Sequence, residues 1–158
     1  GAKDWTIIKK VSRQVELDWV MFANSLTIMN HPPELLSFIK ELSEKGIMII
    51  NSAVFHGGFL TGSEYYDYKR ITPESEPLKF QWRDTFFALC KEYHISPSLA
   101  CINFGLNHPG VASISLNTSN PDRVKENVES VFAEVSKKFY AEMVRKGLID
   151  KEYPYLDI

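Results

Sequence analysis

Apolar positions along the chain switch repeatedly between helical spacing and short unbroken runs. Trp5, Ile8, Val11 and Val15 recur every three to four residues, with Asp4 in place to cap, so an amphipathic helix is expected over residues 4–15. Residues 17–24 form a short apolar run that reads as a strand. Leu35, Leu36, Phe38, Ile39 and Leu42 then repeat with helical period over residues 33–45, and Gly46 stands where that helix should stop. A second strand is expected at once, over residues 47–51. Neither strand alternates apolar with polar residues, a pattern that predicts burial on both faces in a parallel sheet covered by helices.

Residues 56–74 break this rhythm. Three glycines, a proline and the Tyr65-Tyr66-Asp67-Tyr68 cluster mark a long excursion of the kind used for lids and binding loops. Ser75 and Pro77 then open a helix carrying Leu78, Trp82, Phe86, Leu89, Cys90 and Tyr93. Ser96 and Pro97 start another through Ala100, Cys101 and Phe104, which ends near Asn107. A third strand is expected over residues 111–116. It is followed by a helix over residues 121–135 with Val124, Val128, Val131, Phe132 and Val135 on one face, and a last helix over 136–145 closed by Gly147. No repeat, low-complexity tract or linker interrupts the chain, so residues 1–158 read as one unit.

Two loops carry candidate chemistry. The run Val111-Ala-Ser-Ile-Ser-Leu-Asn-Thr-Ser-Asn-Pro-Asp-Arg-Val-Lys-Glu-Asn127 passes from strand through a polar loop into a helix. Asn120 suits the cap and Pro121 the first helical position, and the free N–H groups of such a first turn attract a phosphate. Arg123 adds a planar, permanently charged group beside it. The second loop follows residues 47–51, where small residues and glycines let backbone approach a ligand closely. Strand, polar loop and capped helix is also how any α/β protein turns a corner, so a purely structural reading stays open for each motif.

Composition narrows the function classes. With 158 residues, 44% hydrophobic and 24% charged, the chain has the make-up of one globular unit with a sizeable core. A net charge of -2 gives no electrostatic reason to expect nucleic acid or an anionic membrane as partner. Cys90 and Cys101 lie among apolar neighbours in helical patterns and read as core residues, with no disulfide or zinc site expected. The absence of a long apolar run and of a signal-peptide core points to a cytoplasmic protein.

Taken together, Leu17-Asp-Trp-Val-Met21, Ser52-Ala-Val-Phe-His-Gly-Gly-Phe-Leu-Thr-Gly62 and Phe139-Tyr-Ala-Glu-Met-Val-Arg-Lys-Gly-Leu-Ile149, in this order, resemble the carboxy-terminal half of an aldo/keto reductase. Within that superfamily they are most similar to the D-threo-aldose 1-dehydrogenase and L-galactose dehydrogenase branch. The resemblance implies an α/β fold, the carboxy-terminal portion of a TIM (β/α)8 barrel containing about strands six to eight with their helices, starting at the helix after strand five. It implies NAD or NADP as cofactor and a sugar or other carbonyl/alcohol pair as small-molecule substrate. The loop after the second strand would lie along the pyrophosphate through Ser52, Val54, Gly58 and Leu60. Asn51 falls where many members put an aromatic ring against the nicotinamide. Asn117, Thr118 and Ser119 match positions facing the adenosine ribose, and Arg123, Glu126 and Asn127 those around the adenine. Asn117 stands where many NADP-dependent members carry a lysine, which favours NAD.

The family's catalytic tetrad of Asp, Tyr, Lys and His belongs to the amino-terminal half and none of it maps here, so the chain by itself is expected to be inactive. Tyr65, Tyr66, Tyr68 and Lys69 have no matching spacing. Among the histidines, only His56 in the glycine loop is placed to face a ligand. A half-barrel leaves apolar faces without cover, so a homo-oligomer, or a complex with its own missing amino-terminal half, is expected. A non-catalytic nucleotide-binding or structural α/β module remains the alternative. A doubly wound flavodoxin-like sheet fits less well, because its phosphate loop follows the first strand.

Overall fold

The computed structural model describes residues 1–156. In chain order the elements are α1 (Trp5–Val11), β1 (Trp19–Ala23), α2 (Pro33–Glu44), β2 (Met48–Ser52), a 3-10 turn (Phe59–Thr61), β3 (Tyr65–Tyr66), β4 (Lys69–Arg70), α3 (Pro77–Glu92), α4 (Pro97–Leu106), β5 (Val111–Ser115), α5 (Arg123–Phe132) and α6 (Lys137–Arg145). Local chemistry sets the ends of these helices. The Asp4 carboxylate accepts from the Thr6 N–H at 2.9 Å and starts α1, and the Ser96 hydroxyl accepts from Leu99 N–H at 3.1 Å and starts α4 with Pro97 in its first turn. Gly46, at φ 74°, stops α2: its own N–H reaches the Ser43 carbonyl and the Ile47 N–H reaches back to Leu42. α1 ends four residues short of the expected 15, because the chain breaks into turns after Val11. In the stretch expected to be irregular, β3 and β4 pair as a small antiparallel hairpin.

The main sheet has the order β1-β2-β5, parallel throughout. Ala2 bridges Phe22 in parallel on the free side of β1, so residues at the amino terminus add a stub of strand ahead of α1. Sequential neighbours running the same way lack the reversal of strand order that defines a doubly wound sheet. Ala112 is the extra residue of an irregularity where Ile49 pairs with Val111 and Ile50 with Ser113.

The core lies on one side of this sheet. Val20, Phe22 and Ile49 point into it and meet Leu35, Phe38, Ile39 and Leu42 of α2, while Phe86 of α3, Cys101 and Phe104 of α4 and Phe139 of α6 extend it. Both cysteines are buried free thiols within it. Burial on both sheet faces, the expectation from the unbroken apolar runs, is not what forms: burial alternates along β1, and Trp19 and Met48 stand side by side, each 53% exposed, on the open face. β5 is mostly exposed. The apolar face expected on α5 exists but stays largely bare: Val124 and Val128 are exposed and Phe132 is 82% exposed. No helix of the described residues is long and apolar enough to cross a membrane.

Candidate functional site

A parallel sheet sends its connecting loops out at the carboxy-terminal ends of its strands, and here three such loops enclose one cleft of about 1090 Å³. Asn24 follows β1, Ala53 to Ser63 follow β2, and Asn117 to Asn127 follow β5. The first turn of α4 adds Pro97 and Ser98, and Tyr65 and Tyr68 of the hairpin complete the wall. The chain leaves β1 and β2 through left-handed residues that are not glycine, Asn24 at φ 57° and Ala53 at φ 55°. Backbone held this way is characteristic of ligand-binding ends of sheets. Asn24 also buries a side-chain oxygen with no hydrogen-bond partner among the described residues.

The β5 side supplies the polar lining. Asn120 Oδ1 accepts from the Asp122 N–H at 3.0 Å, and the Asn120 N–H is held by the Thr118 hydroxyl at 3.1 Å. Asn120 closes a turn ahead of α5 but is not its cap: regular helix begins at Arg123 with Asp122 at the N-cap and no side-chain cap bond. This changes the phosphate argument. The N–H groups of Asp122, Arg123 and Val124 are taken by Asn120 and by the Pro121 carbonyl, so the helix start does not offer the free donors that its sequence suggested. The residues that line the cleft here are Arg123, Asn117, Thr118, Ser119, Asn127 and Glu126.

On the β2 side Gly58 lines the cleft, at φ 91°, where a Cβ would come 3.1 Å from Ser63. The remaining residues expected there turn their side chains inward. Val54 and Leu60 are core residues. Ser52 donates its hydroxyl to the Phe22 carbonyl at 2.9 Å and ties β2 to β1. Asn51 is fully buried, its amide nitrogen donating to Leu26 at 2.9 Å and Gly105 at 3.0 Å, so its side chain braces α4 against the sheet instead of facing a ring. The expectation that His56 faces a ligand also fails. His56 is 1% exposed, with Nε2 at 2.7 Å from the Thr27 hydroxyl and Nδ1 at 2.9 Å from the Asp67 carboxylate.

Asp67 in turn meets Lys3 Nζ at 3.4 Å. Burial alone would raise its carboxyl pKa, but the hydrogen bond and charge of His56 and the Lys3 ammonium outweigh it and hold the group below the ordinary 3.8. The neighbouring Tyr66 hydroxyl is pushed up to about 12 by burial and by the carboxylates of Asp67 and Glu76, so it stays protonated. The sequence missed Asn24, Ser98, Tyr65 and Tyr68 as lining residues. Only the Ser96-Pro97 helix start and the tyrosine cluster left a trace, from which Ser98, Tyr65 and Tyr68 were recoverable.

The sequence pattern of the aldo/keto reductase family matches residues 1–147. Pyridoxal 4-dehydrogenase of Microbacterium luteolum is 24% identical over 153 residues, an alignment that takes in 94% of this chain and 43% of that protein. The chain thus spans less than half the length of this curated relative. With the family's pattern running through β1, β2 and β5 and all three cleft-forming loops, the chain belongs to the aldo/keto reductase family.

Proposed function

We propose that this chain is the NAD(P)-binding portion of an aldo/keto reductase-type oxidoreductase acting on a sugar or other carbonyl/alcohol pair. The observation that carries the reading is the convergence of three successive strand-end loops on one large cleft lined by hydroxyls, amides and a single guanidinium. Such donors suit ribose hydroxyls and phosphate oxygens, and the volume lies at the top of the roughly 300–1,000 Å³ range of ligand sites, which accommodates an elongated ligand. The family's cofactor supplies or accepts the hydride. This chain's part is to hold it, with Arg123 neutralising phosphate charge, Asn117, Thr118, Ser119 and Asn127 grading the polarity, and glycines 57 and 58 leaving room for close approach. Pyridoxal 4-dehydrogenase, as a named dehydrogenase, accords with redox chemistry on a carbonyl/alcohol pair.

The sequential parallel order β1-β2-β5, extended by the Ala2 bridge, supports an arc of about strands six to eight of a (β/α)8 barrel. NAD is the favoured cofactor, because the Asn117 position carries no charge to meet a 2′-phosphate. Titrating NAD and NADP into the purified chain by calorimetry tests the reading. Arg123→Ala should weaken binding by about tenfold, in line with loss of a charge-assisted hydrogen bond worth roughly 1.5–3 kcal/mol, and Asn117→Lys should shift preference towards NADP. Equal affinity in wild type and Arg123→Ala would show that the cleft is not used this way.

A further inference from the structure

The tip of the β3–β4 hairpin carries a residue that its turn disfavours. Two residues, Asp67 at φ 49° and Tyr68 at φ 73°, connect the paired Tyr66 and Lys69, and both are left-handed. A two-residue loop of this form favours Asn-Gly or Asp-Gly. Asp67 fits its position, but where glycine is favoured the chain has a tyrosine. A bulky side chain at such φ is strained, and strain of this kind points from an outlier to a function. Nothing within the fold accounts for it: Tyr68 is 82% exposed, and its ring has no ring contact or side-chain hydrogen bond among the described residues. It does line the cleft.

The turn beneath this ring is nevertheless held firmly. The contacts form a continuous chain: the Asn30 N–H donates to Thr27 Oγ1 at 3.0 Å, Thr27 Oγ1 lies 2.7 Å from His56 Nε2, and His56 Nδ1 lies 2.9 Å from the Asp67 carboxylate. The Asp67 N–H returns to the His56 carbonyl at 3.3 Å, and the imidazole lies flat on Tyr66, with 4.6 Å between centroids and 7° between planes. Gly57 packs directly under the hairpin, where a Cβ would come 3.3 Å from the Asp67 nitrogen and the Tyr65 oxygen.

We propose that Tyr68 is a stacking platform for a planar heteroaromatic ring of the ligand in the cleft, and that His56, through Asp67, is the positioning residue that keeps it there; this rests on the nucleotide reading above. An exposed aromatic ring offers one face to a base or a nicotinamide without demanding a particular hydrogen-bond pattern. The buried clamp fixes the turn from which the ring projects, so the backbone beneath it need not be ordered at the moment of binding.

Calorimetric titration of the purified chain with NAD, AMP and nicotinamide mononucleotide tests the proposal and identifies the ring. Tyr68→Phe should bind as wild type, while Tyr68→Ala and Tyr68→Gly should bind NAD and one of the two fragments about tenfold more weakly. Tyr68→Gly should at the same time unfold at a higher temperature, since glycine relieves the turn. His56→Gln should weaken binding alone but add little in a Tyr68→Ala background, because a positioning residue acts through the ring it positions. Wild-type affinity in Tyr68→Ala, or fully additive losses in the double variant, overturns the proposal while leaving the nucleotide reading in place. A wild-type chain that binds none of the three compounds overturns both.

Discussion

Asn51 shows how one buried amide organises the ligand side of the sheet. Its nitrogen is shared by carbonyls from the loop after β1 and from α4, and α4 approaches so closely there that a Cβ on Gly105 would lie 2.9 Å from both Asn51 Nδ2 and Val54 Cγ1. The Asn51 amide is fixed by its two bonds and cannot swing aside, so Gly105→Ala should displace α4 or the loop after β2. Overpacking of this kind costs about 1–3 kcal/mol, or roughly 2–10 °C in the unfolding midpoint for a chain of this size. A midpoint within 1 °C of wild type, measured by calorimetry, would mean that the contact relaxes freely. None of this was visible in the sequence, where Gly105 is one small residue in a helical pattern and Asn51 only a departure from an aromatic position. Arg123 and Asn117 were legible because loop polarity survives without tertiary context. The inward turn of Val54, Leu60 and His56 was not, since it depends on what packs behind the loop.

At the scale of elements, periodicity identified all the main strands and long helices, because an apolar stripe or run marks an element whether its face is covered, as on α2, or bare, as on α5. It missed the β3–β4 hairpin, whose two-residue strands are too short to show a period, and it could not say that the segment after α6 folds back on two histidines. His31 packs its ring against Phe104 and Tyr153, and His108 packs against Tyr155. Burial lowers both imidazole pKa values below the ordinary 6.5, outweighing the Thr27 carbonyl and Asp150 at His31 and the Pro109 carbonyl at His108; His108 Nε2 is buried with no hydrogen-bond partner among the described residues. The folded state therefore resists protons that the unfolded chain takes up, so this stability is complete above about pH 6.5 and is lost as pH falls through the lowered folded values. Asp67 contributes in a separate window, present above its ordinary 3.8 and lost only below it. The unfolding midpoint should drop by roughly 2–6 °C between about pH 7.5 and about pH 5.5, and the paired substitutions His31→Phe and His108→Phe should flatten that drop. Equal slopes in the variant and wild type would assign the acid sensitivity elsewhere.

For the whole molecule, the informative residues are the large apolar ones that stay in water. Apart from Leu78 and the hairpin tyrosines Tyr65 and Tyr68, they fall in three places: Trp19 and Met48 on the open face of the sheet, Val124, Val128 and Phe132 along α5, and Ile7, Val11 and Val15 in and after α1. α1 packs against β1, at one edge of the sheet, and α5 follows β5 at the other, so the bare surfaces are the open face of the three-stranded sheet and its two flanks. In a closed (β/α)8 barrel those three surfaces meet further strands and helices. Apolar area distributed in this way favours association, because each buried square ångström contributes roughly 25 cal/mol. On the barrel reading proposed above, the expected partner is an amino-terminal half, which the resemblance also makes the source of the catalytic Asp, Tyr, Lys and His, or failing that a second copy of this chain. Light scattering coupled to size-exclusion chromatography should show the purified chain above monomer mass. Adding a separately expressed amino-terminal half should give a one-to-one complex with carbonyl reduction that neither piece has alone. Trp19→Glu with Met48→Lys should raise the monomer fraction and abolish the complex. A compact wild-type monomer that takes up no hydrophobic dye and ignores the added half would show that the arc closes on itself.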